Sequence, residues 1–206
     1  MSESGGQRSE VRYFFDDPAA VDRLRKEANE WLWPQPTPFR KFGCIKGPGG
    51  GVYCVAFAQA LMSAAGVTKS GEFLLPHGGG DYQSANTMRR ITKYMIGRGK
   101  LPDGSIDPKS ARLAEIFVRK PIVRELRKLH GRTPHNIDAS LFMPGDLLIL
   151  RDRGLFHMPV MLGRRVFVSA IPGIGVREGD LHDTTYSTHI AGLFRAVALQ
   201  PGTGGV

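Results

Sequence analysis

The stretch Val52-Tyr53-Cys54-Val55-Ala56-Phe57-Ala58-Gln59-Ala60-Leu61-Met62-Ser63-Ala64-Ala65-Gly66 follows directly on Pro48-Gly49-Gly50-Gly51. Its residues are mostly good helix formers, and only Gln59 and Ser63 are clearly polar. A helix that is apolar on every side is a buried one. Gly66 supplies the left-handed residue that commonly closes a helix. The segment therefore reads as a glycine-rich loop running into a buried helix over 52–66, with Cys54 at its start.

Upstream, residues 1–10 read as a flexible tail. Asp17-Pro18 is an N-cap followed by proline at the first helical position, and Val21, Leu24, Ala28 and Leu32 follow at helical spacing up to Trp33-Pro34. Downstream, a helix is expected over 84–96. Another is expected from Asp107-Pro108, broken or restarted at Lys120-Pro121. The period then changes. Leu147–Leu150, Phe156–Leu162, Val166–Ala170 and Gly192–Leu199 read as strands, with Gly163-Arg164-Arg165 as a tight connection. Helices first and antiparallel strands afterwards define an α+β chain. Nothing between 11 and 200 resembles a linker, so this span reads as one domain.

Composition narrows the functions. Of 206 residues, 41% are hydrophobic, enough for a sizeable core, and the 26 Gly and 14 Pro imply many irregular loops. The net charge of +9 favours anionic partners. Basic residues concentrate between Arg119 and Arg132, but Ile122, Leu126 and His130 recur at helical spacing there, so the charges read as a solvated helix face. Without zinc-finger spacing or an RNA-binding aromatic motif, nucleic acid is not the expected partner. No apolar run is long enough to span a membrane and no signal peptide is visible. Synthesis in the cytoplasm is expected, with delivery in a particle or by a non-classical route. Cys44 and Cys54 read as free thiols.

A thiol attacks as the thiolate, which the positive end of a helix favours. Cys54 stands at such an end, and the glycines before it let a substrate approach the backbone. Among six histidines, His157 lies inside an expected strand, a rigid mount for a proton acceptor. Alternation places it with Met161 on one face, and Phe156, Met158 and Val160 on the other. Ser169, on the next strand, is the candidate to orient the imidazole. No histidine pair has the spacing of a metal site.

Four segments carry a resemblance. They are Thr37-Pro38-Phe39; Lys46-Gly47-Pro48-Gly49-Gly50-Gly51-Val52-Tyr53-Cys54; Pro144-Gly145-Asp146-Leu147-Leu148; and His157 through Gly163, followed by Phe167-Val168-Ser169-Ala170 and Gly173-Ile174-Gly175-Val176. In order and spacing they resemble the NlpC-type cell-wall cysteine peptidases (the NlpC/p-sixty superfamily). The likeness is closest to the branch of stand-alone bacterial and phage-tail or gene-transfer-particle proteins.

The resemblance implies a papain-like fold, its nucleophile helix packed on a C-terminal antiparallel sheet. It implies hydrolysis of an amide bond in peptidoglycan stem peptides, with catalytic Cys54, His157 and Ser169 and no metal or organic cofactor. Tyr53 and Phe39 are the candidate substrate-facing residues. The sequence departs from the family pattern at four places: Tyr53 replaces an aspartate, Pro159 a glycine, Ser169 a histidine and Phe39 a tyrosine. These departures support an alternative reading, a catalytically weakened or inactive binding module, such as one in a phage-tail-like particle.

Overall fold

The structure is a computed structural model, and it describes residues 12–68, 113–118, 139–152, 155–183 and 190–198. Its first element after a short 3-10 turn is α1 (Pro18–Leu32). Asp17 caps it as the sequence predicts, its carboxylate accepting the Ala19 N–H at 3.0 Å. The helix buries Ala20, Leu24, Ala28 and Trp31. Its buried stripe lies slightly to one side of the expected one, with Val21 and Leu32 only partly covered.

Two short strands follow, β1 (Cys44–Ile45) and β2 (Gly51–Val52), paired antiparallel. The buried helix α2 therefore begins at Cys54 rather than Val52 and runs over Cys54–Ala65. It ends as expected on Gly66, whose φ of 94° suits glycine. Eight of its residues are buried, Cys54 through Ala58 among them, and Ser63 is not.

The remaining strands are β3 (Leu113–Val118), β4 (Leu147–Asp152), β5 (Leu155–His157), β6 (Val160–Met161), β7 (Val166–Ile171), β8 (Gly175–Asp180) and β9 (Ile190–Ala196). They form one sheet in the order β3-β9-β4-β6-β7-β8, with β5 also paired to β4, and every pairing is antiparallel. The chain is thus α+β, with α2 against the sheet. Leu113–Val118 corrects the helix expected to run from Asp107 to Lys120. The β-branched and aromatic run Ile116-Phe117-Val118 suits a strand, and this one pairs along β9. The helix expected over 84–96 and the basic stretch 119–132 lie outside the described residues.

The sheet separates two apolar clusters. Leu147, Ile149, Phe156, Met158, Val160, Val168 and Ala170 pack with α1 and α2. Leu148, Leu150, Met161, Phe167, Ile190 and Leu193 cluster on the opposite face with Phe142 and Leu181. The alternation read for 156–161 holds, since Met161 sits in the second cluster and Phe156, Met158 and Val160 in the first.

One buried ion pair ties the sheet's turn to its centre. Arg195 Nε and Nη2 donate to Asp146 Oδ1 and Oδ2 at 2.7 and 2.8 Å, and Nη2 also donates to the Leu141 carbonyl at 2.7 Å. Asp146 holds the guanidinium firmly in its charged form, its pKa raised. The Arg195 guanidinium also lies over the Tyr13 ring, 4.9 Å from its centroid.

Candidate active site

The approach to Cys54 is built from close backbone contacts. Arg40 donates to the Val52 carbonyl at 3.1 Å, Val52 to Pro38 at 3.0 Å and Tyr53 to Gly43 at 3.4 Å. A side chain on Gly51 would run into Arg40, and one on Gly43 into the Gly51 carbonyl, so both positions require glycine. Thr37, fully buried, accepts the Gly47 N–H at 2.9 Å.

Lys46 pins this loop to α1. Its Nζ lies 2.8 Å from both Glu27 and Glu30 and sits over the Trp31 ring. Trp31 in turn meets Phe57 of α2 edge-on, with ring centroids 5.5 Å apart. The loop, α1 and the nucleophile helix are thereby held as one unit.

Tyr53 is the extended N-cap of α2 and gives it no side-chain cap. Its ring is buried and packs edge-on against Phe42, centroids 6.4 Å apart. Phe39 bridges to Val52 and packs partly buried against the main core. Of the two aromatic residues expected to face substrate, Tyr53 is therefore covered and Phe39 half-covered.

Burial is the largest influence on the Cys54 thiol and pushes its pKa above the ordinary value, while the backbone N–H groups of Met158, Val55 and Cys54 itself favour the thiolate. Burial thus opposes the effect expected of the helix start.

Pro159 accepts from Leu148 N–H at 3.0 Å, while Met161 N–H donates to Asp146 and its carbonyl accepts from Gly145. Residues 159 and 161 thus turn their backbone groups toward β4. Alternate residues turn the other way, so Val160 faces β7, where it pairs with Val168. Met158 also faces away from β4, and among the described residues β5 has no strand on that side. The Met158 N–H instead favours the Cys54 thiolate, and both residues belong to the helix-side cluster.

His157, half-buried, is the residue before Met158 and stands across from Leu150. Direct partners share a face, so His157 belongs to the face of Leu150 and Met161. Ser169 follows Phe167 and Val168 on β7 and by alternation belongs to that same face. The register thus places both on the sheet face opposite the cluster that contains Cys54. Ser169 is 1% exposed, however, and its Oγ has no hydrogen-bond partner among the described residues. The expected hydrogen bond from Ser169 to the imidazole is not made.

Cys44 and Cys54 are both free, and Cys44 is exposed on β1. Among the described residues no group of His, Cys, Asp and Glu side chains is arranged to hold a metal ion. No helix among them is long and apolar enough to cross a membrane. Sequence reasoning did not foresee that the Met158 backbone N–H favours the Cys54 thiolate. The local signal was Pro159, which cannot continue a ladder and marks where the strand is interrupted.

Comparison with known proteins gives limited company. No protein-family model matches the chain, and no curated protein matches it. Among solved structures, it is similar to a protein described as similar to lipoprotein, of the NLP/P60 family, from Staphylococcus aureus subsp. aureus Mu50. The TM-score is 0.49 at 16% identity, over 93% of this chain and 45% of that one. The chain thus spans less than half the length of that protein.

Proposed function

We propose that the chain is a cysteine amidase of the NlpC type, acting on amide bonds of peptidoglycan stem peptides. The observation that supports this reading is a thiol at a helix start, Cys54, whose thiolate is favoured by the backbone N–H of Met158, the residue after His157. The four sequence segments that resemble the family supply the reaction class.

In this reading His157 is the general base. It takes the proton from the buried Cys54 thiol as Sγ attacks the amide carbonyl carbon. The C–N bond breaks as the imidazolium returns that proton to the leaving amine, and a thioester remains on Cys54. Water then attacks the thioester, giving up a proton to His157, and the thiol is regenerated. The N–H groups at the start of α2 favour negative charge near the reacting atoms.

The second reading, a module that binds without cutting, is favoured by one specific observation. Ser169 offers the imidazole no hydrogen bond. Purified peptidoglycan decides between the two. The amidase reading requires new amino groups to appear with the wild-type chain and to fall by at least about a hundredfold in Cys54→Ala and His157→Ala. Binding without release of amines, in wild type and variants alike, would leave only the second reading.

A further inference from the structure

Cys44 is a thiol that the proposed reaction leaves unused. It is exposed on β1 and stands directly across from Val52, two residues before Cys54. Val52 turns its backbone away from β1: its N–H donates to Pro38 at 3.0 Å and its carbonyl accepts from Arg40 at 3.1 Å. Tyr53 turns the other way and donates to the Gly43 carbonyl at 3.4 Å. Cys44 and Val52 are therefore a non-hydrogen-bonded pair, the type whose Cα atoms lie about 4.5 Å apart and whose side chains are closest.

The chain stays extended as far as Cys54, since Tyr53 has φ of −106° and ψ of 163°. Residues two apart in an extended chain lie on one face, and direct cross-strand partners share a face. Cys54 thus follows Val52 on the face that carries Cys44. The two cysteines stand as diagonal neighbours, a relation that sets Cα atoms about 7–8 Å apart. A disulfide takes Cα atoms about 4.4–6.8 Å apart. The pair is open in this structure, and a shift of about an ångström would bring it into range. Strand β1 can supply that shift, being two residues long with β2 as its one strand partner among the described residues.

The two thiols differ in access. Cys44 is open to reagents in solution, whereas Cys54 is 4% exposed. We propose that Cys44 and Cys54 form an oxidisable pair, which a small disulfide of the glutathione kind joins through Cys44, withdrawing the Cys54 thiol from reaction. The role as a switch rests on the proposed amidase reading, while the pairing rests on the strand register alone. The Cys44 thiolate attacks one sulfur of oxidised glutathione, whose S–S bond breaks, and one glutathione thiolate leaves. The Cys54 thiolate then attacks the Cys44 sulfur, the second glutathione leaves, and a Cys44–Cys54 disulfide remains. Two cysteine thiols are oxidised, one glutathione disulfide is reduced to two thiols, and the two cysteine protons end on them. Partial burial raises the Cys44 pKa, so the entry step quickens as the pH rises.

The test treats the full-length wild-type chain with oxidised glutathione under native conditions. Remaining thiols are blocked with iodoacetamide, and trypsin then cuts after Lys46, between the two cysteines. The expected product is segment 42–46 joined to segment 47–69 with no glutathione retained, formed faster at higher pH and separated by dithiothreitol. Cys54→Ser should keep glutathione on Cys44, and Cys44→Ser should stay unmodified. Urea below the unfolding transition should not speed the cross-link. The proposal is overturned if the wild-type chain retains glutathione on Cys44 without a cross-link, if both cysteines stay unmodified, or if sub-denaturing urea accelerates cross-linking. Amine release from purified peptidoglycan separates this result from the amidase reading. Both stand if oxidation lowers release at least about tenfold, in step with cross-linking, and dithiothreitol restores it. A reduced chain that releases no amines yet cross-links on oxidation loses the reaction and keeps the pair. A reduced chain that releases amines yet never cross-links keeps the reaction and loses the pair.

Discussion

At the scale of single residues, the site is governed by which polar groups are satisfied. Burial raises the Cys54 pKa and outweighs the backbone N–H groups that favour its thiolate. Ser169 is the opposite case, a buried hydroxyl without a partner. An unmade hydrogen bond in a protein interior costs about 1–3 kcal/mol. Ser169→Ala should therefore stabilise the chain by about 1 kcal/mol in urea unfolding and leave turnover within about threefold of wild type. Lower stability, or a large loss of turnover, would show that the hydroxyl has a partner in the working state. The places of Cys54 at a helix start and of His157 in a strand were legible from local pattern. The state of Ser169 was not, because a serine in a strand reads the same whether or not its hydroxyl is matched.

At the scale of elements, the legible parts were those with local chemical signatures. Asp17-Pro18 begins α1 and Gly66 ends α2, as read from the sequence. The errors fell where tertiary pairing decides. Val52 was taken into the helix because β1 and β2, at two residues each, are too short to show a period. Residues 113–118 became a strand because β9 was available to pair with them. β8 went unread because Gly175, Arg177, Glu178, Gly179 and Asp180 leave no apolar alternation.

The ion pair between β9 and the turn before β4 belongs to this scale. Asp146 is fully buried and bidentate with Arg195. Asp146→Asn would leave the Arg195 charge without its partner, at a cost of about 3–5 kcal/mol. Urea unfolding should register that loss. A change below about 1 kcal/mol would mean that water reaches the guanidinium and the pair is not a structural anchor.

At the scale of the whole molecule, the fold packs a buried helix start against one face of an antiparallel sheet. Two apolar clusters hold the sheet from either side, while the Lys46 contacts fasten the loop before Cys54 to α1. The α+β class was legible from the change of period along the chain. The break between β5 and β6 was hinted at only by Pro159, which cannot continue a ladder.

The central claim is that the Cys54 thiol is the nucleophile. Its most direct test is rapid acid quenching of the wild-type chain during reaction with a stem-peptide substrate, followed by mass mapping of its two cysteine-containing segments. The account predicts an acyl adduct on Cys54, absent in Cys54→Ala and slow to form in His157→Ala. Undiminished turnover in Cys54→Ala, or an adduct on Cys44 alone, would contradict it.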